Sequence, residues 1–309
     1  MFRKALVVAL AALATAVSAG PVPRASTVTD VQVFQFALTL EHLEDAFYTA
    51  ALAKFTAKDF VAAGYPSWVH GRFAQIAGHE RTHVKYLTEM LGPAAVPPCT
   101  YDFGNTLDNP TSFAKQSRVF ETVGTSAYLG GTAVLQDKTH VTEAWGTCSI
   151  LAVEISQAGW VSSSVLKQQP WNGPFTIPLT PSAVYSLARS FIKSCPLNYP
   201  ELPVKPLPSL SLSNPAPQHG ESVKFSFPEE NFNDGKQYYA AWLDGLTVTY
   251  TEIASDGSTK VPEGLLGIVY VATVSSKDTP SDDNLTSGFA LIAFDFNSSV
   301  DDSKAGSPV

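Results

Sequence analysis

The sequence predicts an α+β chain, a bundle of four long helices and a short fifth one followed by a small antiparallel β-sandwich-like module. Three observations carry this expectation. Apolar residues recur at helical spacing from Asp30 to about Cys195. A proline-rich stretch then interrupts the pattern over residues 197–219. Beyond it, short runs of β-branched and aromatic residues are separated by Gly, Asp, Asn and Pro, which reads as strands and turns. The expected divisions are a leader over 1–19, the bundle over 29–196, the connector over 197–219, the β-rich module over 220–299 and a flexible tail over 300–309.

The first helix opens at Thr29 and Asp30, a good capping pair, and places Phe34, Ala37, Leu38, Glu41 and Tyr48 on one face. The second follows Pro66 and Ser67, carries Phe73, Ile76, Glu80, Val84 and Leu87 as a stripe, and stops at Gly92 and Pro93. The third begins with Asn109 as cap and Pro110 at the first helical position, carries Phe113, Glu121 and Tyr128, and ends near Asp137. The fourth runs from about Thr142 through Ile150, Leu151, Glu154 and Val161 to Pro170. The short fifth lies between Thr180 and Cys195.

The connector is expected to be extended and semi-rigid, with little packing of its own. The strand candidates are residues 223–227, 238–243, 246–253, 267–274 and 289–296. No Cys, His and carboxylate cluster occurs among them, so the module reads as a packing or attachment unit, the latter toward a wall or extracellular partner, rather than a second catalytic site.

The charge of −8 and pI near 5.2 exclude non-specific nucleic-acid binding, which needs basic patches. Arg3 and Lys4 precede an apolar run from Ala5 to Val17 and a small-residue site at Ala19, the pattern of a secretory leader. That run is shorter than the about 20 residues needed to span a bilayer. The expected mature protein is soluble and secreted, extracellular or in the cell wall. With three cysteines, one disulfide fits. Cys99 and Cys195 both sit in proline-marked loops and form the preferred pair, and Cys148 reads as a small core residue. Asn284 and Asn297 begin sequons and are candidate glycan sites on surface loops.

Four glutamates, Glu41, Glu80, Glu121 and Glu154, sit inside apolar helical stripes at separations of 39, 41 and 33 residues. A buried carboxylate is costly unless paired or bound to metal, so four at such intervals suggest one shared polar centre. Tyr48 follows Glu41 by seven residues and Tyr128 follows Glu121 by seven, which is the same helix face each time. His83 stands three residues after Glu80, and Gln157 three after Glu154. Two-metal bundles use one Glu from each of two helices and Glu-x-x-His from each of the other two. Hard oxygens with a little imidazole suit iron or manganese. On the first helix Glu44 lies about 60° from Glu41 on a helical wheel, so either carboxylate could point inward; the matching tyrosine favours Glu41. His42, His70, His79 and His140 read as surface or satisfied core residues, and Gly124, Gly130 and Gly131 as sites of close helix packing.

The segments FALTLEHLEDAFY, HERTHV, VGTSAYLGG, CTYDF and FIKSCP resemble the secreted fungal ferritin-like proteins of the stress-response or late sexual development type, relatives of plant desiccation-related proteins. The resemblance covers residues 29–200 well and the β-rich part loosely, through YYAAWLDGL and GIVYV. It implies Glu41, Glu80, His83, Glu121 and Glu154 as metal ligands, with Tyr48 and Tyr128 holding them from behind. The departure is Gln157, where the two-metal pattern places a second histidine; an amide carbonyl is a weaker donor, so an asymmetric centre is expected. Three readings follow: a secreted di-iron or di-manganese protein reacting with oxygen or peroxide, a non-catalytic stress, developmental or wall-associated scaffold, and caged iron storage. The last is disfavoured because the C-terminal extension and glycans would obstruct a closed shell.

Overall fold

A computed structural model describes residues 28–135, 141–228 and 230–307, without the side chains of 141–144. The leader, Asp137 and His140 lie outside the described residues. Among the described residues there are six α-helices: α1 (Asp30–Lys54), α2 (Ala57–Ala62), α3 (Val69–Leu91), α4 (Pro110–Val134), α5 (Val141–Trp160) and α6 (Pro181–Ala188). The same described residues hold nine strands, which follow or interleave: β1 (Thr100–Tyr101), β2 (Ile192–Ser194), β3 (Ser211–Leu212), β4 (Ser222–Ser226), β5 (Tyr238–Asp244), β6 (Thr247–Ile253), β7 (Ser258–Lys260), β8 (Gly267–Val274) and β9 (Ala290–Phe294).

The helix starts are set by local chemistry. Thr29 and Gln32 form a reciprocal cap on α1, with Gln32 Oε1 accepting from the Thr29 N–H at 3.0 Å. The Asn109 side chain accepts from the N–H groups of Thr111 and Ser112 at 3.0 and 2.9 Å, ahead of Pro110. α3 stops where Gly92 takes φ +53°, a left-handed conformation that suits glycine, and Pro93 follows. α1 is buried on nearly every side because other elements surround it. The C-terminal half of α1 and the end of α5 share one aromatic cluster with the N-terminal halves of α3 and α4. α1 and α5 therefore run one way and α3 and α4 the other. Residues 92–109 travel back along the bundle to join two parallel helices, the long crossover of one bundle class.

Several boundaries differ from expectation. α2 was not anticipated; it spans only 6 residues, too few for periodicity to show, and is capped by Asp59, which accepts from the Thr56 N–H at 2.7 Å. The helix of α5 gives way at Val161 to a π turn that ends before Lys167, whose φ is +60°, so it stops short of Pro170. After α6 a 3₁₀ turn leads into β2, which pairs antiparallel with β1. Cys195 therefore leaves a strand, and that pairing brings it to Cys99, to which it is disulfide-bonded. Cys148 is an exposed free thiol rather than a core residue, because it lies on the outer face of α5.

The strands form the expected antiparallel sheets. A four-stranded sheet has the order β6-β5-β8-β9 and a three-stranded one β3-β4-β7. Side chains of the larger sheet alternate between two cores. Ala240, Trp242, Val269, Val271 and Ile292 face Val223 and Phe225 of the smaller sheet. Ala241, Leu243, Ile268, Tyr270 and Ala272 face Phe36, Leu40, Val123 and Val184 of the helices. The central strands β5 and β8 are thus covered on both faces, which explains their continuous apolar runs.

The connector is better packed than its composition suggests. Leu207 is buried in the core shared by helices and sheet, Tyr199 shares a 2.7 Å hydrogen bond with Thr39, and β3 begins the smaller sheet. The tail, expected to be free, is pinned through its described residues: the Leu246 N–H donates to Gly306 O at 2.8 Å and Trp171 Nε1 to Asp302 at 2.7 Å. Asn284 is buried, and its Nδ2 faces the carbonyls of Asp278 and Thr279 at 3.1 and 3.3 Å, so it is a loop clamp rather than a surface glycan site. Asn297 is exposed. Among the described residues no helix is long and apolar enough to cross a membrane.

The disulfide closes a span of 96 residues, which restricts the unfolded chain. Replacing Cys99 and Cys195 together by Ser should lower unfolding free energy by about 2–4 kcal/mol in a denaturant titration, with the fold retained. Native protein should also react with one equivalent of a thiol reagent, at Cys148.

Candidate metal centre

Each long helix turns one polar face to the bundle axis. α1 contributes Glu41, Glu44 and Tyr48, α3 Glu80 and His83, α4 Ser117, Glu121 and Tyr128, and α5 Glu154 and Gln157; all are buried. The other side of α4 is held by the sheet. Tyr270 Oη donates to Thr122 O at 3.3 Å and lies 3.2 Å from Ser126 Oγ, and the buried Arg118 meets Asp295 at 2.9 Å. Those contacts set the rotation of α4 and so aim Glu121 and Tyr128 inward.

His83 is the hub. Its Nδ1 lies 3.0 Å from Glu80 Oε2, 3.3 Å from Glu41 Oε2 and 3.7 Å from Glu154 Oε1, which are carboxylates of three helices. One ligand atom from each of Glu41, Glu80, His83 and Glu154 falls within 4.8 Å of the others. Tyr128 donates a short hydrogen bond to Glu41 Oε1, and Tyr48 a short one to Glu121 Oε1. Tyr48 also lies 2.7 Å from Ser117 Oγ. The tyrosine repeat therefore works crosswise: each tyrosine holds the glutamate of the other helix. Gln157 Nε2 donates to Glu80 Oε1 at 3.0 Å and lies 3.2 Å from His79 Nδ1.

Much of the acceptor capacity is unused. Both oxygens of Glu154, Oε2 of Glu41 and Glu121, and Oε1 of Gln157 have no hydrogen-bond partner, although Glu41 Oε2 keeps its ion-pair contact with His83. Burial raises the carboxyl groups of Glu44, Glu121 and Glu154 well above the usual range, and neighbouring carboxylates add to it. Burial lifts Glu80 to about 7 even though His83 opposes the shift. For His83 burial acts downward, but Glu41 and Glu80 outweigh it and raise the ring to about 10. A single imidazolium cannot neutralise this many carboxylates, so the centre must hold protons or bind cations. The orphaned oxygens and hard donor set fit a cation, and the cluster can hold a metal ion.

The expected residues Glu41, Glu80, His83 and Glu154 are brought together. Glu121 lies in the same buried field but outside that tight group, engaged by Tyr48. Gln157 adjoins Glu80 through its nitrogen. Glu44, an open alternative at the sequence level, is a further inward carboxylate, and both members of the pair face the centre. The available signal was its spacing of i+3 from Glu41 and i−4 from Tyr48. Gly124 also belongs to the site: a Cβ there would lie 2.5 Å from Glu154 Oε2 and 3.3 Å from Glu44 Oε1. Gly130 does serve close packing, against the Leu179 backbone. His42 is satisfied by the Val96 carbonyl at 3.0 Å.

Residues 29–167 match the family model described as a ferritin-like domain. Together with the bundle, this defines the class: a helical ferritin-like domain followed by small antiparallel sheets. Among curated proteins, the chain is similar to Protein rds1 of Schizosaccharomyces pombe, at 26% identity over 216 residues covering 69% of this chain and 50% of that protein. The chain thus spans about half the length of that relative.

Two outcomes are expected. Gly124→Ala should leave the protein folded but displace the Glu154 carboxylate, and metal analysis should show at least about a tenfold loss of affinity, the scale of disturbing an atom that orients a ligand. In metal-free protein, Glu80 ionises near 7 when folded and near its usual 4.5 when unfolded, so stability present at low pH is lost as pH rises through that window. His83, protonated to about 10 when folded against its usual 6.5, acts in the same direction above that value. The melting temperature of chelator-treated protein should therefore fall between about pH 5 and pH 7.5, and added Mn²⁺ should reverse the fall. A melting temperature that rises over this range contradicts the charge assignment.

Proposed function

We propose that the bundle holds two iron or manganese ions and that the protein uses them outside the cell to react with oxygen or peroxide. The observation that carries this reading is the set of buried carboxylates that meet His83 from α1, α3 and α5, with oxygens of Glu41, Glu121 and Glu154 left without a hydrogen-bond partner. Glu80 and Glu154 would be shared between the ions, since each is fully buried among carboxylates of the other helices. Glu41 and His83 complete the stronger position. Glu121, Glu44 and the carbonyl oxygen of Gln157 are the donors left for a weaker one. When bound, iron or manganese supplies one-electron chemistry toward oxygen or peroxide.

The chain's own residues prepare the site. Tyr48 and Tyr128 orient Glu121 and Glu41, so those carboxylates lose little freedom when a cation arrives. Glu80, which ionises near 7, gives up a proton readily at neutral pH in exchange for a cation. Burial keeps bulk water from competing for the donors. The extracellular placement rests on the leader-like residues 1–19 and on the Cys99–Cys195 disulfide, a bond that persists in oxidising compartments. A role in stress or development rests on the family resemblance, and attachment to a wall or extracellular partner through the sheets on the lack of a Cys, His and carboxylate cluster among the strand candidates.

Metal analysis of secreted, tag-free protein after anaerobic loading should find about two cations per chain. Glu80→Ala should abolish both positions, and Gln157→Ala only the weaker. Full loading of the Glu80 variant would refute its shared role. Less than about half a cation per chain in the unaltered protein would leave the bundle a scaffold with protonated carboxyls.

A further inference from the structure

A groove of about 730 Å³ opens on the bundle surface between α3 and α5, directly over Gln157. α3 packs mainly on α1 and α5 mainly on α4, and between these two pairs the surface is left open. The size lies within the range of small-molecule sites. Its walls are unusual for a helix valley. Trp68 leaves 47% of its surface in solvent. Its ring centroid is 6.2 Å from that of Trp160, which is itself braced edge-on against Phe73 at 5.1 Å. Arg72, one helical turn from Trp68, is exposed on the same wall, and no carboxylate lines the groove.

The floor reaches the metal centre. Gln157 is 95% buried and spends both amide hydrogens inward and sideways, on Glu80 Oε1 and His79 Nδ1. Its Oε1 is left without a partner and is closed off from solvent, so it is an acceptor for the centre rather than for the groove. The two recognition elements open to the groove are thus the indole faces for a flat ring and the Arg72 guanidinium for an anion.

We propose that this groove is a binding cleft for a planar aromatic acid, with the ring against Trp68 and Trp160 and the carboxylate on Arg72. As a binding cleft it requires no cation; as the substrate cleft of the centre it rests on the metal reading above.

The test uses ferulate as probe and the full chain, stripped with chelator, in a titration calorimeter. Saturable one-to-one binding is expected. Trp68→Ala should weaken it by about fivefold or more, the scale of losing one aromatic contact. Arg72→Gln should weaken ferulate by about fivefold but change binding of coniferyl alcohol, which lacks the carboxylate, by less than about twofold. Both side chains are exposed, and thermal melts verify that the variants fold. Absence of saturable ferulate binding, or binding unchanged in both variants, overturns the cleft. In protein shown by metal analysis to hold Mn²⁺, the ring protons of bound ferulate should relax faster. Unenhanced relaxation there removes the cleft from the centre. Failure to load Mn²⁺ counts against the metal reading alone, while the calorimetry still decides the cleft.

Discussion

Five carboxylates and one imidazole, withdrawn from water at the centre of a helical bundle, are the constraint on which the rest of this protein depends. Each ionised carboxylate removed from water costs several kcal/mol unless a partner compensates it. Only Glu80 and Glu41 contact His83 closely, and Glu154 stands farther from it with no hydrogen bond. A core built for stability alone would place leucines here. The surrounding structure is therefore required to be rigid enough to hold an unfavourable arrangement together.

That rigidity comes from outside the four long helices as well as from within them. An aromatic cluster closes one end of the bundle, with Phe47 5.2 Å from Phe103 and Phe113 and 4.8 Å from Phe120. The four-stranded sheet presses on α1, α4 and α6 and anchors α4 through Tyr270 and Arg118. The strands are thus a brace for the site as well as a separate surface. Gly124 shows how little slack remains, because the space its missing side chain leaves is filled by the carboxylates of Glu154 and Glu44.

The asymmetry of the centre has a physical origin. On α3 a histidine stands one turn after the glutamate and meets three carboxylates. On α5 the same offset carries Gln157, whose amide nitrogen is drawn to Glu80 and whose carbonyl is left over. One side of the centre is thereby preorganised by charge and the other only by hydrogen bonding. That second side is also the one beneath the open groove.

Local chemistry in the sequence determined where α1, α4 and α6 begin, because Thr29, Asn109 and Thr180 satisfy helix N–H groups within a turn of themselves. Helical spacing also put Glu41, Glu80, His83 and Glu154, which meet, and Glu121, which Tyr48 engages outside that group, within apolar stripes of their helices. The strands were legible for the same reason, through a period of two. What only the tertiary structure decided involved partners distant in the chain. Glu44 turns inward because α1 is surrounded on nearly every side, so its helical face alone left two answers. The two tyrosines exchange glutamates because α1 and α4 run in opposite directions. The proline-rich connector is packed because its apolar side chains meet a sheet and helices that its own composition does not reveal. Periodicity specifies which residues share a face, but the direction and depth of that face depend on what the rest of the chain brings against it.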